Sequence, residues 1–485
     1  MLVLKHRALA AAALSTILFA ASSLAADGQP DPGFGVAGIA YLTPDDVEAR
    51  ELRPYAGLAL PDGKLLFAGE RNKFIPSSPF DPHMRGMLAR VNADGSADTT
   101  FGNVSAMPGV LVLPDLVPDT GAGMQVIEAM QRLDDGSIVV AGTAQAFGPL
   151  RGFVVKLDAD GTMDPAFGDA GVVRLPNVYA HALAIDGQGR IVVGGEKSID
   201  TLSHSFVTRL AADGTPDTSF GDGGEVVIDW DGVAEQGGSI TSLAVIADDG
   251  ILVGGSYEVY GMGMGGDFAI ARLGADGAFD TTFTGTGWRV FHSDDLPASM
   301  QINGIDRMLP TASGGAVFAG HYNDDDNGTQ IVLGRVNADG STDATFGDAA
   351  TPGFQPIAIA PEAWNRYPTG LARQADGKLV VSASYATPDK SKFAALRTSA
   401  DGALDTGFGD AGMLVADLAP DGVFSDASVL LLDADERPVL AGIAEPAPTP
   451  PLYYLAMLRL THDVADDRIF GDGFEMPVAP EAATR

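Results

Sequence analysis

The sequence predicts an all-β chain folded as a β-propeller of seven four-stranded blades, and three observations predict it. The skeleton D-G-x-x-D-x-x-F-G, seen in full at residues 213–221, recurs eight times, with its phenylalanines at Phe34, Phe101, Phe167, Phe220, Phe283, Phe346, Phe408 and Phe470. Successive phenylalanines lie 67, 66, 53, 63, 63, 62 and 62 residues apart, so eight copies delimit seven repeats. A period of this length marks an architecture in which stacked neighbours complete one another's cores. Between copies the chain carries short β-branched runs and no helical periodicity, the pattern of antiparallel blades. A β-solenoid is the alternative, but its rungs are shorter than this period.

Taken in order, Lys5, His6 and Arg7 precede an apolar run from Ala8 to Phe19 and the small residues Ser22-Ser23-Leu24-Ala25-Ala26. This predicts a secretory signal peptide over residues 1–25, a single repeat domain over 26–475 and a disordered tail over 476–485. The apolar run falls short of the roughly 18 consecutive apolar residues a membrane helix needs, so no membrane insertion is expected. There is no cysteine, hence no disulfide framework and no thiol chemistry. Removing Lys5 and Arg7 takes the formal charge from −34 to −36. So acidic a surface disfavours nucleic acid and anionic lipid, and suits a protein secreted to the periplasm or the exterior as a monomer.

Each repeat reads as four strands. Strand a follows Phe-Gly, as in Val172-Val173-Arg174-Leu175, and strand b follows a variable loop, as in Ala182-Leu183-Ala184-Ile185 or Ser242-Leu243-Ala244-Val245. Strand c is β-branched and ends in glycine, as in Ile138 to Gly142 and Ile191 to Gly195. Turns such as Asp62-Gly63 and Asp135-Gly136 suit a tight b–c hairpin. Strand d runs into the next motif and carries a cation four residues before its first Asp: Arg90, Lys156, Arg209, Arg272, Arg335, Arg397 and Arg459. An ion pair within the turn is the reading preferred over a phosphate site, because each cation has acidic neighbours in sequence. The motif phenylalanine is expected to plug between blades.

The pattern A-D-G-x-x-D-x-x-F-G-D-x-G followed by a D-G-x-[IL]-V-V-x-G hairpin resembles the delta-60 repeat family of bacterial secreted proteins. That resemblance implies β-propeller-like repeats over nearly all the chain and carries no defined chemistry. Two copies depart from the pattern. The first, Asp27 to Phe34, has no strand d before it; the last, Asp463 to Gly471, has Val464 in place of glycine and no strand a after it. They read as the two edges of a closing ring.

Little points to catalysis. The histidines show no H-x-H or H-E-x-x-H spacing, and there is no G-x-S-x-G elbow or Walker loop. Gly261-Met262-Gly263-Met264-Gly265-Gly266 has the letters of a dinucleotide site but leads into a strand, not a helix. No cofactor is required by this reading. Calcium is the candidate cation, at Asp324, Asp325 and Asp326, a dense set of hard oxygen donors. The long loops between strands a and b and between c and d gather at one end of a propeller, and their aromatics are the candidate ligand contacts: Trp230, Trp364, Tyr367, Tyr257, Tyr260 and Tyr322. The reading is a secreted, non-catalytic binding module whose partner is an extracellular glycan or protein; the alternative is an extracellular hydrolase or lyase acting on polysaccharide through loop carboxylates.

Overall fold

In the computed structural model, residues 27–462 are described apart from 44–48, 74–82, 105, 118–123, 146–149, 201, 231–236, 259–265, 293–300, 325–327, 358–364, 388, 421, 423 and 446–451. Phe470, Trp364, Tyr260, Asp325 and Asp326 therefore lie outside the described residues, as do the segments read as signal peptide and tail.

Seven four-stranded antiparallel sheets form a ring, a seven-bladed β-propeller. Numbered in chain order, blades 1 to 7 have as b strands Ala49–Ala59, Met124–Arg132, Val178–Ile185, Gly237–Val245, Gln301–Pro310, Asn365–Arg373 and Ser425–Leu432. Blade 3 shows the plan: Val178–Ile185 is strand b on the channel, followed outward by Ile191–Ile199, Leu202–Leu210 and Glu225–Ile228. A blade is thus b-c-d-a, and the motif lies inside it, as the turn that joins strand d to the outermost strand a. The sequence period and the blade are out of phase by one strand, and the blade boundary falls in the a–b connection.

The core is also out of phase with the repeat. Apolar side chains fall into seven clusters, each shared by two neighbouring blades. Between blades 2 and 3, for example, Val139, Val154 and Phe167 meet Leu183, Val193 and Phe206. Every blade face is buried only by its neighbour, so the ring gains its full stabilisation when closed.

Closure joins the two ends of the chain. Ile39–Leu42 is the outermost strand of blade 7, paired antiparallel to Tyr454–Arg459, with Ile39 opposite Leu458 and Leu42 opposite Leu455. The first motif copy comes with it, so Arg459 Nε bonds Asp31 Oδ2 at 2.8 Å across 428 residues of sequence. Its partner is therefore not local, as it is for Arg209. Gly28 is needed there: its φ is +73°, and a Cβ would lie 2.5 Å from the Phe408 ring.

The motif fastens one blade to the next. Asp217 Oδ1 accepts the backbone N–H and hydroxyl of Ser219, while Asp217 Oδ2 takes Arg209 Nε at 2.8 Å. The Arg209 guanidinium covers the Phe220 ring, 4.6 Å from its centroid, and its Nη1 donates to Ala275 O of blade 4 at 2.6 Å. Gly221 N–H donates to Asp276 O in the same neighbour. Equivalent arginines cover Phe34, Phe101, Phe283, Phe346 and Phe408. All seven described motif phenylalanines are buried.

Candidate functional site

The seven b strands line a central channel, and each is broken by a β-bulge at the same place, with a second irregularity nearer the start of the strand in blades 1 and 5. The residues squeezed out of register are Tyr55, Glu128, His181, Thr241, Asp306, Thr369 and Ser428. A bulge adds one residue to a strand without shifting the core register beyond it, and so re-aims a side chain. The strand c glycine is the other half of the device: a Cβ on Gly195 would lie 1.9 Å from Tyr179 O, and one on Gly142, 1.9 Å from Val126 O.

The bulge divides the channel wall. Beyond it, toward the b–c turns, Met130, Leu183, Leu243, Leu371 and Leu430 line the passage. Before it, toward the a–b and c–d connections, the strands carry polar and aromatic residues: Glu51, Arg53, Tyr179, Ser239, Tyr367 and Asp426. A cavity of about 320 Å³ in this polar half is bounded by Tyr55, Glu128, His181, Glu196, Ser239, Thr241 and Arg307.

The polar side chains hold one another in place. His181 Nδ1 is 2.5 Å from Glu128 Oε2 and its Nε2 is 3.6 Å from Glu196 Oε1, while Ser203 donates to Glu196 Oε2 at 2.6 Å. Burial alone would lower the His181 pKa, but the two glutamates outweigh it and raise it to about 10. An imidazolium held charged at neutral pH in this way is a poor general base. Burial, reinforced by Glu51 and only partly offset by Arg53, raises Glu70 to about 7. The Tyr55 hydroxyl is 3.4 Å from it, and Tyr55 is itself held protonated by burial and by Glu70. On the facing wall His321 Nδ1 lies 2.7 Å from Asp306 Oδ2 and packs edge-on to Tyr367.

Of the aromatics chosen from sequence, Tyr367 stands exposed (39 %) on the b strand of blade 6, two residues before its bulge. Trp230 is buried in the cluster between blades 3 and 4, its indole N–H bonded to Ser205 Oγ at 2.7 Å. Tyr257 and Tyr322 are buried too, in the clusters on the two sides of blade 4. Such rings pack blades and show no face to a ligand. Of the three aspartates read as a calcium site, the backbone of Asp324 ends strand c of blade 5; its side chain and the other two residues lie outside the description. Among the described residues no group of three or more His, Asp or Glu side chains is placed to hold a metal ion, and no helix is long and apolar enough to cross a membrane.

Sequence reasoning missed the bulge ring, because it began strand b at Ala182 and Ser242, just beyond the bulges, and left the polar half to the preceding loop. A signal was present. Each apolar b run is immediately preceded by a polar residue, as His181 precedes Ala182-Leu183-Ala184-Ile185.

Six segments, residues 60–101, 133–167, 189–220, 247–283, 317–346 and 374–408, match the model described as domain of unknown function (DUF5122) beta-propeller. Each segment ends on a motif phenylalanine. No match is found among curated proteins. Among solved structures, polysaccharide lyase Uly1 is similar at 12% identity and a TM-score of 0.46, over 84% of this chain and 90% of that one. Endo-arabinase from Bacteroides thetaiotaomicron is similar at 11% and 0.33, over 57% and 92%. Drosophila Semaphorin 1b, extracellular domains 1-2, is similar at 7% and 0.40, over 85% and 88%. Likeness at this level assigns no ligand. By its repeats, its matched segments and its closed ring, the chain is a β-propeller repeat protein.

Proposed function

We propose that this protein is a secreted, non-catalytic binding propeller that takes a hydroxyl-rich ligand, a glycan, at the polar mouth of its channel. The observation that carries this reading is the bulge ring, which places phenol, hydroxyl, carboxylate and imidazole residues from six of the seven blades around one passage, with Arg307 beside it from the seventh. Sugar hydroxyls both donate and accept, and planar carboxylate and guanidinium groups match them in pairs, while a Tyr face packs on sugar C–H groups. Tyr367, exposed at the mouth, offers such a face. Secretion rests on the residue 1–25 reading. The test is a glycan-array screen of the full chain beside Tyr367→Ala. Array binding that Tyr367→Ala weakens at least tenfold, with the melting temperature unchanged within a few degrees, supports the reading; an array without binding ends it.

One observation favours a second reading, a hydrolase or lyase acting on polysaccharide. Glu70, held near pH 7, could pass a proton in either direction at neutral pH, beside the Tyr55 hydroxyl. Release of reducing ends or unsaturated products from polysaccharide by wild type, and its loss in Glu70→Gln, would decide for it. Calcium remains proposed at Asp324, Asp325 and Asp326. A thermal melt with calcium against chelator should show a stabilisation that the triple alanine variant lacks, and an unchanged wild-type melt removes the site.

A further inference from the structure

The position directly after the bulge is small in six blades: Ala56, Ala129, Ala182, Ser242, Gly370 and Val429. In blade 5 it is Arg307, opposite Ala319. It borders the same 320 Å³ cavity as Tyr55, Glu128, His181 and Thr241, residues supplied by four other blades, so it faces them across the channel. Its Nη1 donates to the carbonyl of its own neighbour Asp306 at 2.8 Å. Among the described residues no carboxylate lies within ion-pair distance of this guanidinium. The other charged groups lining the cavity are paired with one another, His181 lying between Glu128 and Glu196.

A guanidinium has five donors in a fixed fork, and holding it in a protein-lined passage with most of them unused is unfavourable. Burial pushes its pKa down, and the nearby Asp306 charge only partly opposes this. Such a group becomes stabilising when a planar anion enters, because two parallel charge-assisted hydrogen bonds replace the water it has lost. With Glu128 and Glu196 on the far wall, a single carboxylate fits where a multiply charged phosphate would be repelled. The weakly bonded Tyr55 hydroxyl adds a further donor to the same cavity.

We propose that Arg307 anchors the carboxylate of an acidic sugar, so that the preferred ligand of the channel is a uronate-bearing glycan. This inference rests on the glycan reading above. The test is calorimetry of the full chain with galacturonate, glucuronate and mannuronate oligosaccharides, each paired with its carboxyl-reduced counterpart, using wild type, Arg307→Gln and Arg307→Lys. Wild type is expected to bind one acidic oligosaccharide roughly tenfold to a hundredfold more tightly than its reduced form. Arg307→Gln should erase that preference while melting no lower than wild type, and Arg307→Lys should keep part of it. Equal binding of acidic and reduced forms, or a preference that survives Arg307→Gln, overturns the inference and leaves the glycan reading standing. Failure of every oligosaccharide to bind overturns the inference, and an empty glycan array alongside it overturns the glycan reading as well.

Discussion

At the residue scale, Arg209 shows one cation acting on two blades. Its side chain is only 1 % exposed, paired with Asp217, laid over Phe220 and bonded to Ala275 of the next blade. Replacing it with Met keeps much of the volume but leaves Asp217 without its guanidinium. Arg209→Met is therefore expected to lower stability by about 3 kcal/mol in chemical denaturation. The channel residues make stability depend on pH with a defined sign. The folded pKa of His181 is raised from 6.5 to about 10, so its stabilisation is complete below about pH 6.5 and is lost as pH climbs toward 10. Glu70 is raised from 4.5 to about 7; folding favours its protonated form, so stability falls as pH rises through that window. Melting curves should show a decline between pH 7 and 10 that is flattened in His181→Gln, and one between pH 4.5 and 7 that is flattened in Glu70→Gln. Wild-type slopes in both variants would show that these two groups do not carry the dependence.

At the element scale, the b strand is the unit that turns a structural repeat into a site. A partner without a side chain gives this bulge room, and strand c supplies Gly69, Gly142, Gly195, Gly255, Gly320 and Gly442 opposite six of the seven bulges. Blade 6 is the exception: there Ala383 faces Pro368, just before the bulge at Thr369. Gly195→Ala should push a methyl group into the Tyr179 carbonyl and cost about 1 to 3 kcal/mol, with the His181 ring displaced from Glu128. NMR titration of the His181 ring should then give a pKa nearer the ordinary imidazole value. A fully stable Gly195→Ala protein with an unshifted His181 would mean that the bulge is set elsewhere. The glycine was legible in the sequence as the end of strand c; the bulge was not, because an extra residue breaks the alternation by which a strand is recognised.

At the scale of the whole molecule, seven places for the motif are filled by copies one to seven, and the last blade takes copy one. Val464 stands in the eighth copy where Gly28 stands in the first, and a Cβ at that place would meet the Phe408 ring in a backbone conformation β-branched residues avoid. Removing residues 27–42 should open blade 7, expose the edge of Tyr454–Arg459 and produce a lower melting temperature with aggregation. An unchanged melting temperature in that variant would show that residues 27–42 do not close the ring.

The sequence by itself determined the class of fold, the number of blades and the roles of the motif, because each of these rests on short-range chemistry repeated at a fixed period. Asp217 bonds two residues ahead to Ser219, Arg209 is paired eight residues ahead with Asp217, and Phe220 is buried wherever the motif is formed. Only the tertiary structure decided which strand belongs to which blade, which copy closes the ring and which side chains share the channel. Those outcomes depend on contacts between residues 50 to 430 positions apart, such as Glu128 with His181 and Asp31 with Arg459. They also overrule apparent character: Trp230 and Tyr322 look like loop aromatics but fill inter-blade cores, while His181 and Arg307, unremarked in isolation, line one cavity of the channel. A repeat fixes its own turns locally, but its inner edge acquires chemistry only when seven unlike copies are brought around one axis.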